Sequence, residues 1–196
     1  MKLKKYILGI LVAVLVLSCL TFAVNAADVK TVQITGFEDN TVQLTTFADP
    51  QSKITATYET DIVQEGKQAV CVEAWTNSWA GVVLTLDGTK ADWTGMTTFK
   101  MWVYGAASKK HFDVQFEDKN GELFLVNIKD DFTGWKQFVF KLSAIKSRAD
   151  YQDPKATLTG KIVYPLKTLQ FCTTNSGSGG VGQLKLYFDN FEITNE

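Results

Sequence analysis

The stretch HFDVQFEDKNGELFLVNI, residues 111–128, decides the fold, because it reads as a β-hairpin whose register can be worked out. Asn120-Gly121 is a strong turn signal between two alternating runs of apolar and polar residues. A two-residue loop mixes apolar and polar residues on both faces of this hairpin. A three-residue loop, with Gly121 at the left-handed position of a bulge, sorts them, so burial favours it. It forms the apolar pairs Phe116–Phe124, Val114–Val126 and Phe112–Ile128.

The second face of this hairpin is polar, although it belongs near the middle of a sheet. It carries His111, Asp113, Gln115 and Glu117 on the first strand, opposed by Leu125 and Asn127 on the second. A hydrogen-bonding surface of this kind predicts a ligand face rather than a buried layer.

Short strands continue on both sides of the hairpin. Runs rich in β-branched and aromatic residues alternate with Gly, Asn, Asp and Ser, which is typical of a sandwich or barrel. The one helical candidate is Leu142–Tyr151, of one or two turns. We predict strands near Thr31–Thr35, Ile54–Tyr58, Gln68–Trp75, Gly81–Leu86, Thr98–Tyr104, His111–Glu117, Leu123–Ile128, Lys136–Lys141, Thr168–Thr173 and Gln183–Ile193.

Two large aromatic residues point away from the core in the strand TTFKMWVYG, namely Trp102 and Tyr104. In the strand LQFCT, Gln170 points outward with Cys172. Sugars suit such a surface, because their C–H faces stack on rings while their hydroxyls pair with polar side chains. We therefore expect Trp102 and Tyr104 to stack on sugar rings beside His111, Asp113, Gln115, Asn127 and Gln170. The alternatives are that a loop covers the two rings, that they belong to the core, or that they form a protein interface.

The other tryptophans have less defined places. Trp75 and Trp79 stand in the segment EAWTNSWAG, where either could line the rim of a sugar site. Trp93 and Trp135 each precede a strand, and we expect them to close the ends of the core.

The N-terminus predicts a secretory signal peptide over residues 1–26. Three lysines precede the apolar run Ile7–Leu17, which is too short for a membrane span, and a V-x-A site ends at Ala26. An alternative is a lipid anchor, since Val16–Cys19 resembles a lipobox with Cys19 as the acylated residue. The mature domain is then 27–196, a size usual for one domain, with no membrane span.

The net charge of the mature domain bears on its class of binding partner. Without the three signal lysines, 17 basic residues face 21 acidic ones, a net charge of −4. This balance does not indicate a nucleic-acid binder.

Outside the signal peptide stand Cys71 and Cys172, which could form a disulfide in an oxidising compartment. Two buried free thiols are the interpretation we favour.

The order of motifs resembles the jelly-roll carbohydrate-binding modules with a galactose-binding-like fold, the group that binds β-glucans, xylans and mannans. The resemblance spans about residues 30 to 196, and its motifs are GFED (36–39), EGKQAVCV (65–72), WAGVVL (79–84), DWTGMTTFKMWVYG (92–105), the Asn-Gly hairpin, WKQFVFKLS (135–143), LKTLQF (166–171) and YFDNFEI (187–193). It implies an all-β fold, a two-sheet antiparallel β-sandwich (jelly roll), whose concave face binds a polysaccharide chain.

The same resemblance implies a structural calcium ion (Ca2+) that joins the early acidic segment to the last strand. Glu38 matches the early acidic position and Asp189 the late one. Calcium accepts carboxylate and backbone oxygens in irregular geometry. The alternative is that Asp189 and Asn190 cap a turn or bond to neighbouring backbone.

Enzyme signatures are absent from the sequence. His111 is the only histidine, and no HExxH, GxSxG or zinc-spaced cluster appears. A sandwich glycosidase needs two facing carboxylates, but Asp113 and Glu117 stand more than about 10 Å apart along one strand. Glu73 or Glu122 could supply a partner, so a glycosidase stays an alternative, as does a protein-binding adhesion domain. We expect a non-catalytic monomer that binds polysaccharide.

Overall fold

The computed structural model describes residues 28–40, 42–174 and 182–196. The signal peptide and Cys19 therefore lie outside the described residues. Within those ranges, no helix is both long and apolar enough to cross a membrane.

Twelve strands make up nearly all the regular structure of the described chain. Two single-turn helices, α1 (Gly88–Ala91) and a 3₁₀ turn at Leu142–Ala144, interrupt them. The strands are β1 (Thr31–Thr35), β2 (Leu44–Ala48), β3 (Lys53–Glu59), β4 (Ala69–Thr76), β5 (Trp79–Thr85), β6 (Thr98–Ala106), β7 (His111–Glu117), β8 (Leu123–Lys129), β9 (Thr133–Lys141), β10 (Lys146–Ser147), β11 (Thr168–Thr174) and β12 (Gly182–Thr194).

The strands form two antiparallel sheets, which confirms the predicted β-sandwich. The first sheet has the order β3-β4-β12-β6-β9, with β1 also paired to β12. The second has the order β10-β8-β7-β11-β5-β2. Consecutive strands often belong to different sheets, so the chain crosses between layers repeatedly.

The central hairpin has the predicted register. Phe116 lies opposite Phe124, Val114 opposite Val126, and Phe112 opposite Ile128. Gly121 has a φ of 80°, a conformation that favours glycine, and its N–H donates to the carbonyl of Asp118 across 3.0 Å.

One core lies between the two sheets. Aromatic rings from the inner faces meet there, because each strand turns alternate residues inward. Phe171 of the second sheet lies 4.2 Å from Phe188 of the first, measured between ring centroids. Phe116 and Phe99 make a similar contact at 5.5 Å.

Three details differ from the sequence predictions or decide between them. Strand β2 was not predicted, and the expected helix at Leu142–Tyr151 is a 3₁₀ turn followed by the short strand β10. Cys71 and Cys172 are both buried and free. They cannot meet, because they lie on the outer faces of different sheets, with the core between them.

Candidate functional site

A cleft of about 510 Å³ crosses the outer face of the second sheet. Its floor comes from β7 and β11, one wall from β2 and β5, and the other wall from the segment that follows β10. We call this feature the cleft; its lining residues are Phe47, Ser78, Trp79, Ala80, Gln115, Leu123, Arg148, Asp150, Tyr151, Gln170 and Cys172.

The floor of the cleft carries two amides side by side. Gln115 of β7 lies directly opposite Gln170 of β11. Gln115 is only 1% exposed, and its Oε1 accepts a hydrogen bond from Nη1 of Arg148 across 3.2 Å. Gln170 donates from Nε2 to Oγ1 of Thr168 across 2.9 Å. The floor is thus a fixed polar surface of the kind that orients hydroxyl groups.

Arg148 holds the wall beyond β10 in place. Its Nε and Nη2 each donate to one carboxylate oxygen of Asp150 across 2.9 Å, which is the bidentate geometry of a strong charge-assisted pair. The guanidinium also stacks over the ring of Tyr151 at 5.3 Å. The hydrogen bonds to Asp150 raise the pKa of Arg148, and the same contact lowers the pKa of Asp150. Tyr151 is 54% exposed and faces the solvent beside this pair.

Trp79 forms the opposite wall, and Asp49 fixes the turn before it. The Asp49 carboxylate accepts hydrogen bonds from the backbone N–H of Ser78 (3.1 Å) and of Trp79 (3.0 Å), and from the hydroxyl of Ser52. Chiefly the Ser52 hydroxyl, and then these backbone donors, lower the pKa of Asp49 to about 2. The Trp79 side chain stays 43% exposed.

Gly81 makes room for a second ring in this wall. It lies opposite Phe47 and Cys172 on its two neighbouring strands. A Cβ atom at Gly81 would collide with the Phe47 ring and lie 2.9 Å from the Sγ of Cys172. Its absence lets Phe47 lie across the sheet with its centroid 5.9 Å from that of Trp79.

The cleft runs obliquely over three strands. Along β5, Trp79 lies four positions before Val83, which is opposite Gln170. This offset is about 13 Å at the rise of a strand. Two strand spacings, about 10 Å, separate β5 from β7. Trp79 in one wall and Tyr151, which stacks on Arg148 beside Gln115, in the other wall thus lie on either side of the amide floor.

Three of the predicted ligand residues lie on the same face, next to the cleft. Asn127 donates from Nδ2 to Oδ1 of Asp113 across 2.7 Å, and its Oδ1 lies 2.6 Å from Nδ1 of His111. With this orientation of the amide, Nδ1 of His111 is the donor. Burial raises the pKa of Asp113, which lies opposite Cys172.

Trp102 and Tyr104 do not lie on this face, so the expectation that they share one surface with these residues is wrong. The two rings do point away from the core, as expected, because the residues that alternate with them along β6, Phe99, Met101 and Val103, are buried. However, β6 belongs to the first sheet and β7 to the second. The connection at residues 107–110 crosses between the sheets, and the Asp130 carboxylate accepts hydrogen bonds from two backbone N–H groups in it.

The remaining tryptophans also lie on different sides of the molecule. Of the two rim candidates, the structure places Trp79 on the cleft and Trp75 on the outer face of the first sheet, opposite Gln183. Trp93 is fully buried in the core, as predicted. Trp135 does not close the core: it lies within β9 on the outer face, in ring contact with Tyr104.

Sequence reasoning missed Arg148, Asp150, Tyr151 and Phe47. The first three lie in the long connection between β9 and β11, whose first part, Leu142–Tyr151, was interpreted as a short helix. A signal was available there, since long connections between strands often carry binding residues. An arginine, an aspartate and a tyrosine within four positions of such a connection suit a ligand site.

The two predicted calcium ligands meet at one loop. Asp189 is fully buried and accepts hydrogen bonds at Oδ2 from the backbone N–H of Gln64 and Glu65, across 3.0 and 3.1 Å. Glu38 accepts two from the N–H of Lys67. Burial, and then the charge of Glu38 among other causes, raise the pKa of Asp189.

Oxygen donors are available at this loop for a hard cation. Gln64 Oε1 is buried without a hydrogen-bond partner in the described structure. Amide and carboxylate oxygens are the donor types that calcium takes. No group of three or more His, Cys, Asp or Glu side chains in the described ranges is placed to hold a metal ion. Calcium therefore stays a prediction, and it would require amide or backbone oxygens.

Solved structures share this fold. A family 11 carbohydrate-binding module from Clostridium thermocellum, in complex with a β-1,3-1,4-mixed-linked tetrasaccharide, superposes with a TM-score of 0.68 at 17% identity, over 83% of this chain and 94% of that one. The family 11 module of a cellulosomal cellulase from the same organism gives 0.69 at 16% identity, over 84% and 94%.

Sequence comparison adds one curated relative and a family. A mannan endo-1,4-β-mannosidase from Bifidobacterium adolescentis is 38% identical over 64 residues, which are 33% of this chain and only 6% of that enzyme. The family model for the carbohydrate binding domain, family 11, matches residues 21–193. The chain therefore belongs to family 11 of the carbohydrate-binding domains.

Proposed function

We propose that the cleft on the second sheet binds a β-glucan chain and that the protein does no chemistry on it. The observation that carries this proposal is the arrangement of Trp79 and Tyr151 in the two walls on either side of a polar floor. Sugar chains present apolar C–H faces and a rim of hydroxyls, and the cleft offers a surface of each kind.

Each part of the cleft has a role in this proposal. The rings of Trp79 and Tyr151 stack on two sugar units of one chain. Gln115 and Gln170 hydrogen-bond hydroxyls between them, while Arg148 orients Gln115 and carries further N–H donors. Asp113, Asn127 and His111 extend the polar surface along the same strands.

The ligand class rests on the family and on the relatives. The similar module from Clostridium thermocellum was solved with a mixed-linked β-glucan tetrasaccharide, so we propose mixed-linkage β-glucan as the first ligand. The partial similarity to a mannosidase supports glucomannan as the second polymer to test.

The carboxylates near the cleft support a binding role without hydrolysis. Glycosidases use two carboxyl groups about 5 to 9.5 Å apart, whereas Asp113 and Glu117 are four residues apart on β7, about 13 Å. Asp150 is held by Arg148. Neither other candidate faces the cleft: Glu73 pairs with Lys185 on the first sheet, and Glu122 accepts hydrogen bonds from the backbone of residues 159 and 160.

Three further expectations belong to this proposal. The protein is secreted through its signal peptide, acts as a monomer, and holds a structural calcium ion with Glu38 and Asp189. Such an ion would stabilise the join between the first strands and the last one, without a part in binding sugars.

Affinity electrophoresis tests the proposal. The purified protein is run in native gels that contain barley β-glucan, glucomannan, xylan or no polymer, and each polymer is assayed for new reducing ends. We expect retardation by β-glucan without release of reducing ends. Equal mobility in all gels contradicts the proposed ligand, and release of reducing ends contradicts the non-catalytic role.

A further inference from the structure

The outer face of the first sheet carries four aromatic residues in one cluster, on the side of the sandwich opposite the cleft. We call the cluster of Trp102, Tyr104, Trp135 and Tyr187 the aromatic patch. Tyr187, Tyr104 and Trp135 lie directly opposite one another on three adjacent strands. Tyr104 contacts each of the other two edge to face, with ring centroids 5.6 Å apart. Trp102 adjoins them on β6.

The polar atoms of this patch are available to a ligand. In the described structure the indole N–H groups of Trp102 and Trp135 and the hydroxyl of Tyr104 bond to no protein atom. None of them is among the buried atoms that lack a partner, which are Gln64 Oε1 and Thr76 Oγ1. These three donors are therefore open to solvent. Tyrosine hydroxyls and tryptophan N–H groups usually find a protein partner when they are buried, whereas rings with one apolar and one solvated end are typical of binding surfaces.

The surroundings of the patch are polar. Gln137 of β9 and the buried Asp189 of β12 lie opposite Trp102 on its two neighbouring strands. Lys185 lies over the ring of Tyr187 at 5.8 Å and pairs with Glu73 across 3.5 Å. The patch is thus a set of rings beside one amide, a buried carboxylate and one compensated ion pair. Charged residues are depleted at the centre of protein interfaces, which favours a sugar ligand here. Rings beside an amide are also what the cleft offers to sugars.

We propose that the aromatic patch is a second carbohydrate-binding surface, which takes a β-glucan chain across the outer face of the first sheet. The ligand class rests on the proposed function of the cleft, while the site is separate, because the whole core lies between the two faces. Two sites that face in opposite directions let one molecule bind two polymer chains at once. In this proposal Trp102 and Tyr104 contact the ligand, as expected from the sequence, but at a site separate from the cleft.

The five tryptophans allow each surface to be observed in one experiment. The indole N–H signals of the ¹⁵N-labelled protein are assigned by single Trp→Phe variants and followed during titration with a soluble β-1,3-1,4-gluco-oligosaccharide. Trp79 reports on the cleft, and Trp102 and Trp135 report on the patch. Trp93 is the internal control, because it is fully buried and its Nε1 donates to the Lys90 carbonyl across 2.7 Å.

We expect saturable shifts at Trp102 and Trp135 as well as at Trp79, and none at Trp93. Shifts at Trp79 alone overturn the patch and leave the cleft intact; shifts at the patch alone overturn the cleft as the site. No shift at any of the three overturns both.

A second measurement uses the Trp79→Ala variant, whose cleft is weakened. Its remaining retention on insoluble β-glucan should be lost in the double variant with Trp135→Ala. Val139→Ala is the matched control, because Val139 lies on the same strand and face, is 52% exposed and is not part of the patch. Equal loss with Val139→Ala, or no loss with Trp135→Ala, contradicts the proposal. Thermal unfolding of each variant checks that its fold is intact.

Discussion

Arg148 donates a hydrogen bond from Nη1 to Oε1 of Gln115 across 3.2 Å, although the two residues are 33 positions apart in the chain. This bond fixes the segment after β10 to the floor of the cleft. The same guanidinium binds the Asp150 carboxylate and stacks on the Tyr151 ring. One side chain therefore positions both of these residues and the wall of the cleft to which they belong. Arg148 is therefore the residue that holds together the Tyr151 side of the cleft.

Replacement of Arg148 by alanine should weaken β-glucan binding by about tenfold or more, which corresponds to about 1.4 kcal/mol. The variant leaves Gln115 without its donor and Asp150 without its partner. Arg148→Lys is the matched variant: it keeps the charge but cannot make the bidentate pair, so we expect it to recover only part of the affinity. Isothermal titration calorimetry measures the β-glucan affinity of both variants. If Arg148→Ala binds with wild-type affinity, Arg148 does not contribute to the site.

Asp49 should matter for binding although it does not line the cleft. Its carboxylate holds the turn before Trp79 by two backbone hydrogen bonds, so Asp49→Ala should lower the melting temperature and weaken binding together. Asp49→Asn keeps the shape and one acceptor oxygen, and we expect an intermediate effect on both. A variant with lower stability and unchanged affinity would show that Trp79 needs no such support.

The same residue predicts a pH dependence of stability. The pKa of Asp49 falls from 3.8 to about 2 on folding. A lowered pKa means that the ionised group stabilises the fold above about pH 4, and this contribution is lost as the pH falls towards 2. The difference in melting temperature between wild type and Asp49→Asn should therefore shrink between pH 4 and pH 2. A difference that stays constant over this range would contradict the assignment.

Most of the strand pattern was predictable from the sequence, because alternation and turn chemistry act locally. The hairpin of β7 and β8 is the clearest example. A slip of one residue would bury His111 and Asp113 and expose Phe112 and Val114, so burial alone specifies the register. Gly121 then fits the only loop that satisfies this register.

The composition of the site was less predictable, because alternation says which side of a strand faces the core and not which sheet the strand joins. Trp102 and Asp113 both point outward, yet they lie on opposite faces of the molecule. Arg148 reaches Gln115 from an irregular segment, and no periodic pattern encodes such a contact. Crossings between sheets and long connections are thus the parts of the fold that local sequence patterns do not specify.

Calcium removal gives a test that is independent of sugar binding. If Glu38 and Asp189 hold the ion, a chelator should lower the melting temperature, and added calcium should restore it. Glu38→Gln should unfold at a lower temperature and no longer respond to calcium. Identical melting curves for wild type with chelator and with excess calcium would contradict this site.

The most direct test of the cleft compares two tryptophans of nearly equal exposure, Trp79 at 43% and Trp75 at 45%. Trp79 stands on the cleft and Trp75 on the outer face of the first sheet, outside the aromatic patch. Trp79→Ala should weaken binding roughly thirtyfold, as expected for the loss of an aromatic contact of about 2 kcal/mol, and it should sharply reduce retardation in a gel that contains β-glucan. Trp75→Ala should migrate like the wild type. If Trp79→Ala is retarded like the wild type, or if Trp75→Ala loses its retardation instead, the cleft is not where this domain binds its polysaccharide.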